Sequence, residues 1–76
     1  MPATREQVEQ LFREHEGQTV LREIHGDGRR IARQIKLLDP DSACEHFITT
    51  AVGQLNIDGR TAVAQNKDGL HTVFMF

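Results

Sequence analysis

The stretch TVLREIHGDGRRIARQIKLL, residues Thr19–Leu38, predicts a β-hairpin. Its two halves, residues 19–25 and 29–38, carry β-branched side chains at Thr19, Val20, Ile24, Ile31 and Ile35. Between them stands Asp27-Gly28, a dipeptide whose tolerance of positive φ suits a two-residue type I′ turn. The helical spacing of Ile31, Ile35 and Leu38 leaves a helix over residues 29–38 as the competing interpretation.

In the hairpin, pairing through this turn sets Arg22 directly opposite Arg33, where like charges repel. The same face carries Val20, Ile24, Ile31 and Ile35. One hypothesis is that the face is only partly covered, and that the basic residues of the hairpin await an anionic partner: Arg22, Arg29, Arg30, Arg33 and Lys36. The other is that a bulge shifts the register, or that helix acids such as Glu9 or Glu16 neutralise the pair inside the fold.

The size of the chain predicts one small domain over residues 1–76 with a lean core. Its 76 residues are 38% hydrophobic and include four Phe, no Trp and no Tyr. Self-association, most simply as a homodimer, is therefore expected. The single cysteine, Cys44, cannot form an internal disulfide, no signal-peptide pattern opens the chain and no apolar run approaches a membrane span, so a cytoplasmic location with no membrane contact is expected.

Two helices are predicted by capping and periodicity. Thr4 and Gln7 are spaced as a capping box, and an apolar stripe follows to about residue 16, where Gly17 supplies a stop. The second helix begins either with Ser42 and Glu45 as a capping box, or with Asp39 as the cap ahead of Pro40 at the first helical position. The apolar stripe of this helix is the clearest periodic signal in the chain: Cys44, Phe47, Ile48, Ala51, Val52 and Leu55. An exit loop or tight turn is predicted to follow at residues 56–59.

The last segment, residues 60–76, contains a second Asp-Gly at 68 and 69 between two strand-like runs, which predicts another hairpin. The expected fold is α+β, a two-layer sandwich of order α-β-β-α-β-β. A four-stranded antiparallel sheet would carry two helices on one face, because that arrangement buries both helix stripes.

The final residues, Val73, Phe74, Met75 and Phe76, are apolar on both faces of their strand. Such a strand is either central in the sheet, or an edge that would pair with another chain. We therefore expect self-association through these four residues, by edge-to-edge addition or by packing of open sheet faces, with a central strand of a monomer as the alternative.

Charge is unevenly distributed. Residues 1–16 carry two basic and four acidic side chains, residues 17–36 five and two, and residues 37–76 two and five. The positive charge thus lies in the first hairpin, whereas the first helix has an acidic back formed by Glu6, Glu9, Glu14 and Glu16. The formal net charge of −2 argues mildly against a general affinity for nucleic acid.

No catalytic, metal or nucleotide motif occurs in the sequence. Cys44 and His46 are two residues apart on the predicted helix and point to different sides, so the thiol is interpreted as a small buried hydrophobe. Metal-ligand spacings such as Cys-x-x-Cys are absent, and no metal or cofactor is expected.

These features predict a small non-enzymatic binding protein that regulates or inhibits a larger protein or complex. Its most concrete form is an inhibitor encoded by a phage or mobile element, such as an anti-CRISPR protein, a hypothesis that depends on size and layout alone. The alternative is a nucleic-acid-binding dimer that uses the basic hairpin of residues 22–36. An enzyme built around Cys44 and His46 is the third and least favoured hypothesis.

Overall fold

Six strands and two helices form the fold in a computed structural model that describes residues 1–76. The elements are β1 (Pro2–Ala3), α1 (Arg5–Arg13), β2 (Thr19–Gly26), β3 (Arg29–Lys36), α2 (Pro40–Thr50), β4 (Leu55–Asp58), β5 (Thr61–Gln65) and β6 (His71–Met75). All strands join one antiparallel sheet in the order β1-β4-β5-β6-β2-β3. The predicted α+β class is confirmed, but the prediction of four strands is wrong because β1 and β4 extend the sheet.

The first hairpin has the predicted turn and register. Asp27 and Gly28 adopt φ values of 51° and 71°, as a type I′ turn requires. Arg22 pairs with Arg33, and Ile24 pairs with Ile31. The competing helix over residues 29–38 is therefore wrong, although the strand ends two residues early, at Lys36, where the chain turns inward to bury Leu37.

Both helices begin at predicted caps, the second at Asp39 rather than at the alternative, Ser42. Thr4 and Gln7 form a complete capping box on α1, and the Asp39 side chain accepts a hydrogen bond from the Ser42 amide at the start of α2. Helix α1 ends at Arg13 rather than near residue 16, and turns lead to Gly17, whose φ is 80°.

Helix α2 ends earlier than its apolar stripe predicts. Ala51 leaves the helix with an extended ψ of 143° and forms a β-bridge to Asn66. Leu55, the last residue of the predicted stripe, begins β4 instead, and residues 56–58 belong to that strand rather than to an exit loop. Strand pairing with β5 and β1 thus takes these residues away from the helix.

The core lies between the helices and one face of the sheet. The helices contribute Val8 and Phe12 of α1 and Cys44 and Phe47 of α2. Leu37 and four strand residues complete the core: Val20, Ala62, Ala64 and Phe74. The aromatic rings of Phe12, Phe47, Phe74 and Phe76 pack against one another in mostly tilted and edge-to-face pairs, with centroid separations of 5.0 to 6.0 Å. The two alanines of β5, Ala62 and Ala64, are almost fully buried in this core.

Strand β6 is internal to the sheet, with β5 on one side and β2 on the other. Edge-to-edge dimerisation through Val73–Phe76 is therefore wrong, because β6 has no free edge. Phe74 is buried in the core of the chain, and Phe76 packs against it. Val73 and Met75 face the other side of the sheet, where packing of two sheet faces stays a prediction; Met75 is 37% exposed.

Neither helix has the length and apolar character needed to cross a membrane.

Candidate binding surface on the first hairpin

The helices cover only half of the hairpin formed by β2 and β3. Near the ends of the strands away from the turn, Val20 lies in the core, and its cross-strand partner Ile35 packs against the core. Towards the turn, Ile24 and Ile31 are paired but lie outside the core, and Ile31 is 56% exposed. We call the uncovered residues on the helix side the hairpin face: Arg22, Ile24, Arg29, Ile31 and Arg33.

A pocket of about 400 Å³ lies at the turn end of the hairpin face. Its apolar wall is formed by Ile24, Ile31 and Leu70, and Arg29 and Asp27 stand at its polar side. An apolar pocket beside charged groups is typical of sites that accept one side chain of a partner.

Gly26 shapes this pocket. A Cβ atom at this position would overlap Cδ2 of Leu70 and would lie 3.3 Å from its Cα, and the φ of 154° is itself unusual for a side-chain-bearing residue. Glycine thus allows Leu70, just before β6, to lie directly against the hairpin.

Four hairpin cations have no acidic partner. The side chains of Arg22, Arg29, Arg33 and Lys36 form no ion pair within 4.0 Å. Because Arg22 and Arg33 are cross-strand neighbours, the pair keeps its mutual repulsion. The predicted bulge and the predicted internal neutralisation are both wrong.

Neither helix acid predicted to neutralise the arginine pair does so, and one of them, Glu9, pairs with arginines of its own helix instead. Glu9 accepts a hydrogen bond from Nε of Arg5 at 3.0 Å, Arg5 also contacts Glu45, and Nε of Arg13 donates to Asp41 at 2.9 Å. These contacts raise the pKa of both arginines, chiefly through the hydrogen bonds to Glu9 and to Asp41. Glu16, the other acid considered, forms no ion pair.

The predicted acidic back of α1 is only partly free. Glu9 is engaged with Arg5, and Glu14 accepts a hydrogen bond from Gln10 at 3.1 Å. Glu6 and Glu16 are exposed and form no ion pair. The four acids therefore do not form one uniform patch of unpaired charge.

The five basic hairpin residues predicted as one binding set divide between the two faces of the sheet. Side chains alternate along a strand, so Arg30 and Lys36 project from the face opposite Arg33. Arg30 lies 3.6 Å from Oε2 of Glu23, which is only 2% exposed. The other oxygen of Glu23 lies 2.6 Å from Nε2 of His25.

Sequence reasoning missed the cluster of Glu23, His25 and Arg30. The signal was present in the hairpin register, which sets His25 opposite Arg30 and places Glu23 two residues away on the same face. The cluster satisfies a buried carboxylate by charge and hydrogen bonding. It therefore accounts for Arg30 structurally, and removes that residue from the free cations.

Cys44 and His46 are not brought together. Cys44 is 2% exposed within the core, whereas His46 is exposed. Burial raises the pKa of the Cys44 thiol to about 11, so the sulfur is protonated at neutral pH. No group of three or more His, Cys, Asp or Glu side chains has the arrangement needed to hold a metal ion.

No protein-family model, curated protein or solved structure matches this chain.

Proposed function

We propose that this chain is a non-enzymatic binding protein that acts by docking its first hairpin onto a larger protein. The observation that carries the proposal is the hairpin face, where the unpaired Arg29 lines a partly apolar pocket and the unpaired Arg22 and Arg33 lie further along the same face. Arginine is enriched in protein interfaces relative to the rest of the surface, and it is among the residues that contribute most binding energy there. Regulation or inhibition of the partner, including the anti-CRISPR form of that hypothesis, stays a prediction.

The repulsion between Arg22 and Arg33 supports this proposal. A cross-strand pair of like charges lowers folded-state stability, and the chain does not relieve it with an internal acid. A carboxylate-bearing partner would supply the missing charge, since guanidinium groups bind carboxylates through paired hydrogen bonds. Binding such a partner would relieve the repulsion, so the stability that the free protein loses to it would be recovered as binding free energy.

Nucleic-acid binding is the second candidate, and the unpaired cations are the observation in its favour. Two features of the surface weigh against it. All four Phe rings pack in or against the core, so none remains to stack bases. The hairpin also has β6 along the other side of β2, so it is not a free two-stranded arm that could enter a groove.

The test compares two double variants that each lose two positive charges. Arg22→Gln/Arg33→Gln removes the unpaired pair, and Arg60→Gln/Lys67→Gln removes two exposed cations outside the hairpin. Tagged chains are used to capture partners from extracts of the native host, with identification by mass spectrometry. The wild type and the control should retain the same protein, and the hairpin variant should lose it. Equal capture by all three chains would contradict the proposal.

A mobility-shift assay separates the second candidate from the first. Binding to short duplex or single-stranded DNA through about four phosphate contacts would weaken about a hundredfold between 50 and 200 mM salt. Tight, steeply salt-dependent binding of DNA by the wild type, lost in the hairpin variant, would favour the nucleic-acid function instead.

Self-association is tested independently by sedimentation of the pure chain. The prediction now concerns the sheet face opposite the helices, where Val73 and Met75 lie, rather than the edge of β6.

A further inference from the structure

The hairpin ends in a free strand edge. Strand β3 has eight residues, is the last strand of the sheet and has β2 on one side only. The opposite edge of the sheet is β1, which has two residues and begins with Pro2. A short edge with a proline is a poor template for another strand, so β3 is the one long edge at which a strand could be added.

The backbone groups at this edge can be assigned from the ladder. The Leu37 amide donates to the carbonyl of Gln18 at 2.8 Å, which continues the pairing of β3 with β2. Because bonding alternates along an antiparallel pair, the odd-numbered residues of β3 bond to β2. The even-numbered residues direct their N–H and C=O groups away from the sheet, and all four are exposed: Arg30, Ala32, Gln34 and Lys36.

Charge decides what can occupy this edge. Antiparallel pairing of β3 with the β3 of a second copy would bring its arginines and Lys36 close to those of the other chain, and like charges in neighbouring strands destabilise a sheet. An added strand with acidic side chains would instead place opposite charges next to the basic side chains of β3. Arg29, Arg33 and Lys36 have no acid of their own, and Arg22 lies directly behind Arg33.

The pocket lies where one side chain of an added strand could enter it. Ile31 stands both on the β3 edge and in the pocket wall. A residue of an added strand placed opposite Ile31 would have its Cβ about 5 Å away, within reach of the pocket. The residue two positions along the added strand, about 7 Å further, would lie on the same face beside Arg33.

We propose that the β3 edge binds an extended acidic segment of a partner protein by strand addition. One apolar side chain of the segment enters the pocket beside Ile31, and an acidic side chain two residues away pairs with Arg33. This inference rests on the proposed function and adds to it the backbone geometry and chemistry of the partner.

The probe is a fluorescein-labelled, end-blocked peptide of eight Thr, Glu and Leu residues, in which one Leu and one Glu stand two positions apart. Its affinity for the intact chain is measured by fluorescence anisotropy. A peptide with Lys in place of each Glu is the control and should bind at least about a hundredfold more weakly, since every ion pair becomes a repulsion. Equal affinity for both peptides, or no binding of the acidic peptide at millimolar chain concentration, would overturn the inference.

The matched protein variants are Ala32→Pro and Ala32→Ser. Proline removes an outward N–H group that the β2–β3 ladder does not use, whereas serine keeps it. Ala32→Pro should weaken peptide binding about tenfold, and Ala32→Ser less than twofold. Hydrogen exchange of the Ala32 and Gln34 amides in the wild type provides a readout that needs no variant, because the peptide should slow both by at least about tenfold.

Three outcomes separate this inference from the proposed function. If Arg22→Gln/Arg33→Gln weakens binding while Ala32→Pro does not and the amides stay unprotected, the edge inference is wrong and the hairpin proposal stands. If neither variant changes binding, both are wrong. If the Ala32 amide is already protected in a concentration-dependent dimer of the free chain, the occupant of the edge is a second copy and the inference is overturned.

Discussion

Replacing Arg33 with glutamate should stabilise the free protein. In the wild type the Arg22 and Arg33 side chains are cross-strand neighbours with no acid within 4.0 Å. A cross-strand pair of like charges and one of opposite charges each change stability by about 0.2 to 1 kcal/mol, with opposite signs. Arg33→Glu converts the first into the second, and should raise the free energy of unfolding by about 0.4 to 2 kcal/mol. For a domain of this size, 1 kcal/mol corresponds to a rise in Tm of about 4 to 8 °C.

The assay is urea unfolding followed by far-UV circular dichroism, because the chain has no Trp or Tyr to report by fluorescence. It is run at about 10 mM and 1 M salt, where the Debye length falls from about 30 to 3 Å. The stabilisation should be largest at low salt and should shrink at high salt.

Lys36→Glu is the control for Arg33→Glu. It makes the same charge change on the same strand, but Lys36 is paired with the neutral Thr19. It should therefore give a smaller gain. If Arg33→Glu proves neutral or destabilising at low salt, or if Lys36→Glu stabilises the chain as much, the argument from cross-strand repulsion is refuted. Arg33→Glu should also lose partner binding. Gain of stability together with loss of binding is expected where a binding surface is retained at the expense of stability.

Three further predictions concern the core, the pocket and the thiol. Phe12→Ala should lower the free energy of unfolding by about 3 to 5 kcal/mol, measured by urea unfolding, because Phe12 is fully buried against three other Phe rings; a loss below about 1 kcal/mol would contradict the described core. Gly26→Ala should cost about 1 to 3 kcal/mol through overlap with Leu70, and adding Leu70→Ala should recover part of that loss in a double-mutant cycle; strict additivity would refute the contact. Burial raises the pKa of Cys44 from 9.0 to about 11, so the folded chain keeps a proton that the unfolded chain loses, and stability present below pH 9 should fall between pH 9 and about 11 by up to about 1.4 kcal/mol per pH unit. Cys44→Ala should show a shallower alkaline decline in thermal unfolding, and an identical slope would show that the thiol is not the cause.

The candidate site could be predicted in part. Its register follows from the two-residue turn, so the opposition of Arg22 and Arg33 was available from sequence. The sequence did not indicate which of these residues the helices leave uncovered, because that depends on where the helices end over the sheet. The pocket was also inaccessible to sequence reasoning, since Leu70 reaches the hairpin only through the pairing of β6 with β2. Likewise, the predicted neutralisation by helix acids failed because Glu9 pairs with Arg5 and Arg13 of its own helix, and Glu16 forms no ion pair.

Local interactions were determined by the sequence itself. The type I′ turn at Asp27-Gly28, the capping box at Thr4 and the place of Cys44 on the apolar stripe of α2 each depend on residues a few positions apart, whose geometry the chain sets on its own. The tertiary structure decided where those interactions give way to contacts between distant segments. Ala51 and Leu55 fit a helical stripe but join strands, and β1 is too short to show any pattern of its own. Strand pairing supplies hydrogen bonds from residues far along the chain, and this is why the number of strands and the exposure of the hairpin were settled only when the whole sheet was assembled.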